Sequence, residues 1–319
     1  MKYWGILWLT FLAPVLHAES KIVAYVPNWV DTKSFSQKID YQKLTHINIA
    51  FENPKNSDGD LSFNAKNEIL ITTAQSNHVQ VLVSIGGGAA SSNKILQERY
   101  FDLLTEGKRA GFVSRMADYV VAHHFDGLDV DIEGPSINKD YGALINDLSA
   151  ALKAKGKLLT AAVSKGYGGA KVPNSVFDQF DFVNIMAYDG AGYWSPNSPG
   201  QHSSMEFARN NVKYWLDRGL PKGKAILGVP FYGYGFGEAF RKGDYSYAAI
   251  LAKYPGAENK DEVGDKIWYN GMPTIRAKSE YVVSEGLGGM MIWSLDYDVP
   301  GERSLLSTMH KVLHGESTP

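Results

Sequence analysis

The sequence predicts a (β/α)8 barrel. Three observations lead there: eight short apolar, β-branched runs; helical or polar segments between consecutive runs; and one run in which apolar residues alternate with carboxylates before a Gly-Pro stop. Several runs are near-continuously apolar, as parallel strands covered on both faces must be. Strands alternating with helices imply crossovers in a parallel sheet, and eight such units in roughly 300 residues fit a closed barrel. A doubly wound open sheet is the competing arrangement. No G-x-G-x-x-G follows the first run, which weakens its dinucleotide-binding form.

Taken in order, the strands are IVAYV (22–26), HINIAF (46–51), VQVLVSI (79–85), GLDVDI (127–132), LLTAAV (158–163), FVNIMAY (182–188), AILGVPF (225–231) and GMMIWSL (289–295). A long helical pattern covers 99–124. After the fourth strand, Tyr141, Leu144, Ile145, Leu148 and Leu152 fall on one helical face. A terminal helix is expected over 301–314. The longest departure from a tight strand-helix unit is Gly233 to Pro273, polar and Gly-rich, with a short helix expected around Tyr247–Tyr254.

Before the first strand, MKYWGILWLTFLAPVLHA has the parts of a secretory signal peptide. Lys2 supplies the positive start, Tyr3 to Val15 the apolar region, and Ala18 a small residue for cleavage. The expected organisation is therefore a signal peptide over 1–18 and one catalytic barrel domain over 19–319, secreted or periplasmic. The apolar region is short for a membrane span of ~30 Å.

Composition narrows the function classes. The 319 residues carry a formal net charge of −2 and show no basic stripe, which speaks against nucleic acid and anionic membranes as partners. There are 0 cysteines, so disulfides, thiol nucleophiles and cysteine-ligated zinc are excluded. His46, His123 and His124 have no metal-ligand spacing and read as ordinary polar or core residues. No metal and no cofactor is expected. The 7 Trp and 18 Tyr supply core and leave material for a sugar-stacking surface.

The chemistry concentrates in FDGLDVDIEGP, residues 125–135. Asp126, Asp129, Asp131 and Glu133 place carboxylates among Leu128, Val130 and Ile132. On a strand, Asp129, Asp131 and Glu133 share one face at about 6.6 Å per step, and the apolar residues share the other. In a barrel the acids point inward and climb toward the C-terminal mouth, where catalytic residues sit. Three inward acids cannot all ionise cheaply, so at least one holds a proton near neutral pH. A protonated carboxyl beside an ionised one is what glycoside hydrolysis uses. Asp126, at the start of the strand, reads as a turn or cap residue.

Two other readings compete for this stretch. A calcium loop over 129–140 would have acids at its first, third, fifth and last positions, but its eighth position is Ser136, it ends in Asp140 rather than Glu, and Val130 and Ile132 make a strand. A purely structural acid cluster would be costly to keep.

The motif D-G-x-D-x-D-x-E resembles that of the glycoside hydrolase family 18 chitinases, and Asp126, Gly127, Asp129, Asp131 and Glu133 meet it without mismatch. Four further motifs agree in order: Ser84-Ile85-Gly86-Gly87, Met186-Ala187-Tyr188-Asp189, Gly228-Val229-Pro230-Phe231-Tyr232-Gly233, and Trp293 in the eighth strand. The resemblance implies a retaining, substrate-assisted mechanism on β-1,4-linked N-acetylglucosamine. Glu133 would protonate the glycosidic oxygen, and the substrate's own acetamido group would attack the anomeric carbon. Asp131 would orient that group through hydrogen bonds shared with Asp129 and Glu133, and Tyr188 would donate to its oxygen. Asp189 would contact the distorted sugar and Trp293 would floor it. Tyr25 and Ser84 would hold Asp129.

Taken alone, Tyr188 and Trp293 read as core aromatics; the motif context favours the functional roles. Met186 enters as part of its motif, and Tyr232 divides between packing and substrate contact. Trp29, Phe51, Tyr193 and Trp194 follow strand ends and are candidate stacking residues. The chain departs from the family in having Gly134-Pro135 where many members have Tyr-Pro. The interval after the seventh strand is also too short for the α+β domain that many members insert, so a reduced or absent insertion and an open groove are expected. The implied partner is a carbohydrate, with the protein a monomer. An endo-β-N-acetylglucosaminidase and a non-hydrolytic chitin-binding lectin are the alternatives.

Overall fold

The computed structural model describes residues 20–264 and 266–316. The expected signal peptide lies outside the described residues. Strands β1 (Lys21–Pro27), β2 (His46–Ala50), β3 (Gln80–Gly86), β4 (Gly127–Asp131), β5 (Leu158–Val163), β6 (Phe182–Ile185) and β7 (Ala225–Pro230) all belong to one sheet. Four short strands follow: β8 (Tyr232–Gly235), β9 (Tyr245–Ser246), β10 (Glu262–Val263) and β11 (Ile267–Trp268). The last is β12 (Gly289–Trp293). Parallel pairing in the order β1-β12-β7-β6-β5-β4-β3-β2 closes a barrel, so the predicted (β/α)8 architecture is the observed one.

The strand positions agree with the apolar runs, but several strands stop earlier. β6 ends at Ile185, so Met186, Tyr188 and Asp189 stand on the segment leaving the barrel. The pattern over 99–124 is interrupted: helix Lys94–Leu103 ends and Glu106–Ala122 begins anew after Thr105. The eight units are also unequal. The β1–β2 link holds only a five-residue helix, Thr32–Ser36, and a turn of 3-10 helix. The β5–β6 link holds two 3-10 segments, Gly169–Lys171 and Asn174–Gln179. Pro173 stands between those two and donates no backbone hydrogen bond, so the link stays irregular.

Burial follows the alternation read from the sequence. Leu128, Val130 and Ile132 enter the apolar layer between barrel and helices. Helix Tyr141–Lys153 covers them with the predicted face, burying Tyr141, Leu144, Ile145, Leu148 and Leu152. The barrel interior is different: Asn48, Ser84, Asp129, Thr160 and Asn184 are all buried there. Val23, Phe182, Ile226 and Met291 supply its apolar contacts.

The interval from Gly233 to Pro273 is reduced rather than absent. β10, β11, β8 and β9 make a four-stranded antiparallel sheet, and Tyr247–Lys253 is the expected helix. The interval is therefore a small folded layer. Its compactness rests on close backbone approach: a Cβ on Gly233 would lie 2.3 Å from the Trp268 carbonyl oxygen.

Candidate active site

The barrel register sets the acids in place. Ser84, Asp129 and Thr160 are cross-strand partners on β3, β4 and β5, and Gly86 partners Asp131 one step higher. Asp129 is fully buried and fully satisfied. Tyr25 Oη and Ser84 Oγ each donate to Asp129 Oδ2 at 2.7 Å. Thr160 Oγ1 donates to Oδ1 at 2.6 Å, and Asn184 Nδ2 stands 3.4 Å from the same oxygen. Burial pushes the Asp129 carboxyl above its usual range, and these four donors pull it back.

Asp131, 4 % exposed, has no such cradle. Its Oδ1 is buried without a hydrogen-bond partner. Burial first, then Glu133 and Asp129, push its pKa well above the carboxylate range. Glu133 follows the strand at the mouth. Burial, and secondarily the charge of Asp189, raise it to about 7. Asp126 is remote from this group: its Oδ2 accepts from Val81 N at 2.8 Å and Gln75 Nε2 at 3.0 Å, which ties β3 to β4 below.

The glycines of Ser84-Ile85-Gly86-Gly87 have a steric reason. Gly86 has φ +104, and a Cβ there would sit 2.2 Å from the Asp131 carbonyl oxygen. Gly87, at φ +67, would place its Cβ 2.4 Å from the Phe51 ring. Phe51 in turn stacks on Trp293 at 5.7 Å and 21°. Tyr25 meets the Trp293 ring at 5.5 Å. Two glycines at the end of β3 thus let the Asp131 backbone and the Phe51–Trp293 stack close in together.

On the opposite side, Tyr188 is buried and its hydroxyl finds only the Met291 sulfur, at 3.9 Å. Space for the ring comes from Gly228, whose Cβ would lie 3.2 Å from Tyr188 Cε1. Asp189 adopts φ +62. Its Oδ1 accepts from Tyr232 Oη at 2.5 Å and from Tyr234 Oη at 3.0 Å. Tyr232 is therefore packed and tied to Asp189. Met186, Tyr188, Asp189, Glu133, Tyr193 and Trp194 line one cavity of about 660 Å3. Tyr193 and Trp194 keep 40 % and 49 % of their surface, while Trp29, at 67 %, lies outside that lining.

Sequence reasoning missed five contributors. Thr160 and Asn184 complete the Asp129 network, and Tyr234 shares Asp189. His202, wholly buried, holds the turn: its Nδ1 stands 3.4 Å from Asp189 N, and its carbonyl accepts from Gly190 N at 2.9 Å. Ser203 Oγ donates to the Ala187 carbonyl at 2.6 Å. The signal for Thr160 was its register opposite Asp129; for the 202–203 segment there was none. Among the described residues no cluster has the makings of a metal site, and no helix is long and apolar enough to cross a membrane.

The chain matches one family model, Glycosyl hydrolases family 18, over residues 21–298. The chain belongs to that family. Membership places it among glycosidases. Among solved structures it is similar to the GH18 chitinase ChiB from the chitin utilization locus of Flavobacterium johnsoniae, 36 % identical with a TM-score of 0.85, covering 92 % of this chain and 94 % of that one. Mouse Chitotriosidase-1 is 28 % identical, over 91 % of this chain and 76 % of its own length. Probable chitinase 10 of Drosophila melanogaster is 26 % identical over 96 % of this chain, which spans only 17 % of that protein.

Proposed function

We propose that this family 18 protein is a chitinase, cleaving β-1,4 linkages of N-acetylglucosamine polymers with retention of configuration by a substrate-assisted mechanism. One observation carries the reading. The buried end of the site presents an acceptor without a partner, Asp131 Oδ1, and a donor with only a thioether partner, Tyr188 Oη. An acetamido group supplies the complement of both: its N–H donates to Asp131 and its carbonyl oxygen accepts from Tyr188. Such an amide would be held where it can attack the anomeric carbon, and no protein nucleophile is then required.

Glu133, held at about 7, is the general acid for the leaving oxygen and afterwards the base for incoming water. Asp131 steadies the positive charge that develops on the acetamido nitrogen, and Asp129 stays fixed behind it. Trp293 offers an apolar face to the sugar. Asp189, turned by its strained backbone and held by two tyrosines, reaches the same ring. The chitinase names of the relatives described above support chitin as the polymer. The same proposal has the protein exported by its first eighteen residues and acting as a monomer.

The test is product analysis on N-acetylated chitin oligosaccharides by 1H NMR, with Glu133→Gln as control. Initial β-anomeric products from the parent alone support the proposal. Cleavage of an N-glycan core with chitin oligomers untouched would favour the endo-β-N-acetylglucosaminidase reading. Oligosaccharide binding with no cleavage of either would favour the lectin.

A further inference from the structure

Gly134, directly after the acid, has φ +54, and a Cβ built on it would fall 2.3 Å from the Tyr167 ring. The fit is reciprocal. Gly168 has φ +82, and its Cβ would lie 2.7 Å from the Gly134 carbonyl oxygen and 2.8 Å from its Cα. The Gly134 N–H donates to the Tyr167 carbonyl at 3.2 Å. Two glycines therefore let the loop after β5 press against the backbone beside Glu133. The Tyr167 ring occupies the room that a side chain at position 134 would take.

That ring remains 48 % exposed and lines the same cavity as Glu133, Asp189 and Trp194. Trp293, beneath the sugar that is attacked, is not part of that lining. Glu133 stands at the bond to be broken. The cavity also takes in Tyr188 and Asp189 beside the attacked sugar, so with Glu133 at the bond to be broken it is the Tyr167 end that is left for the departing sugar.

We propose that Tyr167 is a specificity-determining residue that stacks on the leaving-group sugar, an inference that rests on the chitinase reading. The C–H face of a β-1,4-linked N-acetylglucosamine suits an aromatic face held by rigid backbone. The same place holds an acceptor in the reverse sense. An acceptor's 4-hydroxyl can attack the anomeric carbon of the cyclised acetamido intermediate in place of water. Its proton passes to the Glu133 carboxylate, the new C1–O4 bond forms, and the C1–O bond to the acetamido oxygen breaks to restore the amide.

Two readouts test this with chitotetraose on the full chain. The first is the ratio of transfer to hydrolysis, which counts only folded enzyme. Tyr167→Ala and Tyr167→Leu should lower it by about fivefold, the effect of one aromatic contact, and Tyr167→Phe should preserve it. The second is calorimetric affinity in a Glu133→Gln background, which the Ala and Leu changes should weaken by a similar factor. Unchanged affinity in both variants overturns the proposal. Should the parent cut no N-acetylglucosamine oligomer while Tyr167→Ala still weakens binding, the catalytic reading fails and the stacking role stands. Absence of binding in the Glu133→Gln protein overturns both.

Discussion

Tyr25 Oη donates to Asp129 Oδ2 across 2.7 Å, joining the first barrel strand to the fourth through the centre of the barrel. Thr160 takes the other oxygen from the neighbouring strand at 2.6 Å. Each such bond to a buried carboxylate contributes roughly 1.5–3 kcal/mol, and a lost donor leaves charge without compensation. Thr160→Val keeps the shape and removes the donor. Its expected effect is a loss of about 2 kcal/mol at neutral pH, read by chemical denaturation. Loss of a donor raises the folded pKa of Asp129 further, so the gap between variant and parent should widen as pH rises above the carboxylate range. A gap that is constant with pH would mean Asp129 does not ionise in the folded protein.

Glu133 governs a second pH effect. As the proposed general acid it must be protonated, and burial with the Asp189 charge holds it at about 7. kcat/KM should therefore fall as pH rises through about 7. Asp189→Asn removes a neighbouring negative charge and should move that alkaline limb toward lower pH, by up to about one unit. The position of the limb is the readout, because the height will fall for other reasons. Stability should follow the same group. Its folded pKa lies above the ordinary 4.5, so the folded state binds more protons between 4.5 and about 7, and parent stability declines across that window. Glu133→Gln should flatten the decline and leave the variant more stable than the parent at pH 8, by roughly 2 kcal/mol after allowance for partial exposure.

The barrel was legible because strand faces with period two and helical faces with period 3.6 both follow from local apolar spacing. Leu128, Val130 and Ile132 against Asp129 and Asp131 needed only alternation to be sorted into two layers. The acid group was legible for the same reason, since one strand holds it. Tyr234, His202 and Ser203 were not, because each acts on the Tyr188–Asp189 turn from a distant segment and carries no local pattern. The unpartnered Asp131 Oδ1 was likewise unreadable: spacing puts carboxylates on one face but does not say which of their oxygens find donors. The small sheet after β7 escaped because three of its four strands have only two residues and leave no periodicity to detect.

The second glycine-rich strand end offers a steric prediction. Gly86 sits at φ +104 with the Asp131 carbonyl 2.2 Å from where a Cβ would be. Gly86→Ala must strain its own backbone or displace β4 at the height of Asp131. A loss of roughly 2–4 kcal/mol is expected, together with a fall in kcat of at least tenfold. Gly88 is the stability control. It lies within helix Gly87–Ser92 with nothing within 4 Å of its Cβ position, so Gly88→Ala should be neutral or stabilise by up to about 1 kcal/mol. Equal thermal shifts for the two variants would remove the argument that β3 sets the height of β4.

Lys278 shows how far the support for the site extends. Its side chain is fully buried on helix Met272–Glu285, and its Nζ donates at 2.7 Å to the Ser203 carbonyl, Ser203 Oγ and Asn270 Oδ1. Burial pushes its pKa down to about 7, yet three acceptors match the three protons of an ammonium, so the charged form fits the observed geometry. Ser203 passes the restraint on, because its hydroxyl holds the Ala187 carbonyl just before Tyr188. Lys278→Met fills the same space and removes the ammonium donor from Ser203 Oγ and Asn270 Oδ1, while the Ser203 carbonyl keeps Asn270 Nδ2 at 3.0 Å. The expected cost is about 2–4 kcal/mol in unfolding free energy. kcat on chitin oligosaccharides should fall more than KM changes, since the Tyr188 turn loses its anchor while the open cavity wall is untouched. Lys278→Arg should recover little of either, because a planar guanidinium cannot reproduce three acceptors around one nitrogen. A Met variant with lowered stability but parental kcat would confine Lys278 to packing, and the restraint on the turn would then rest with His202.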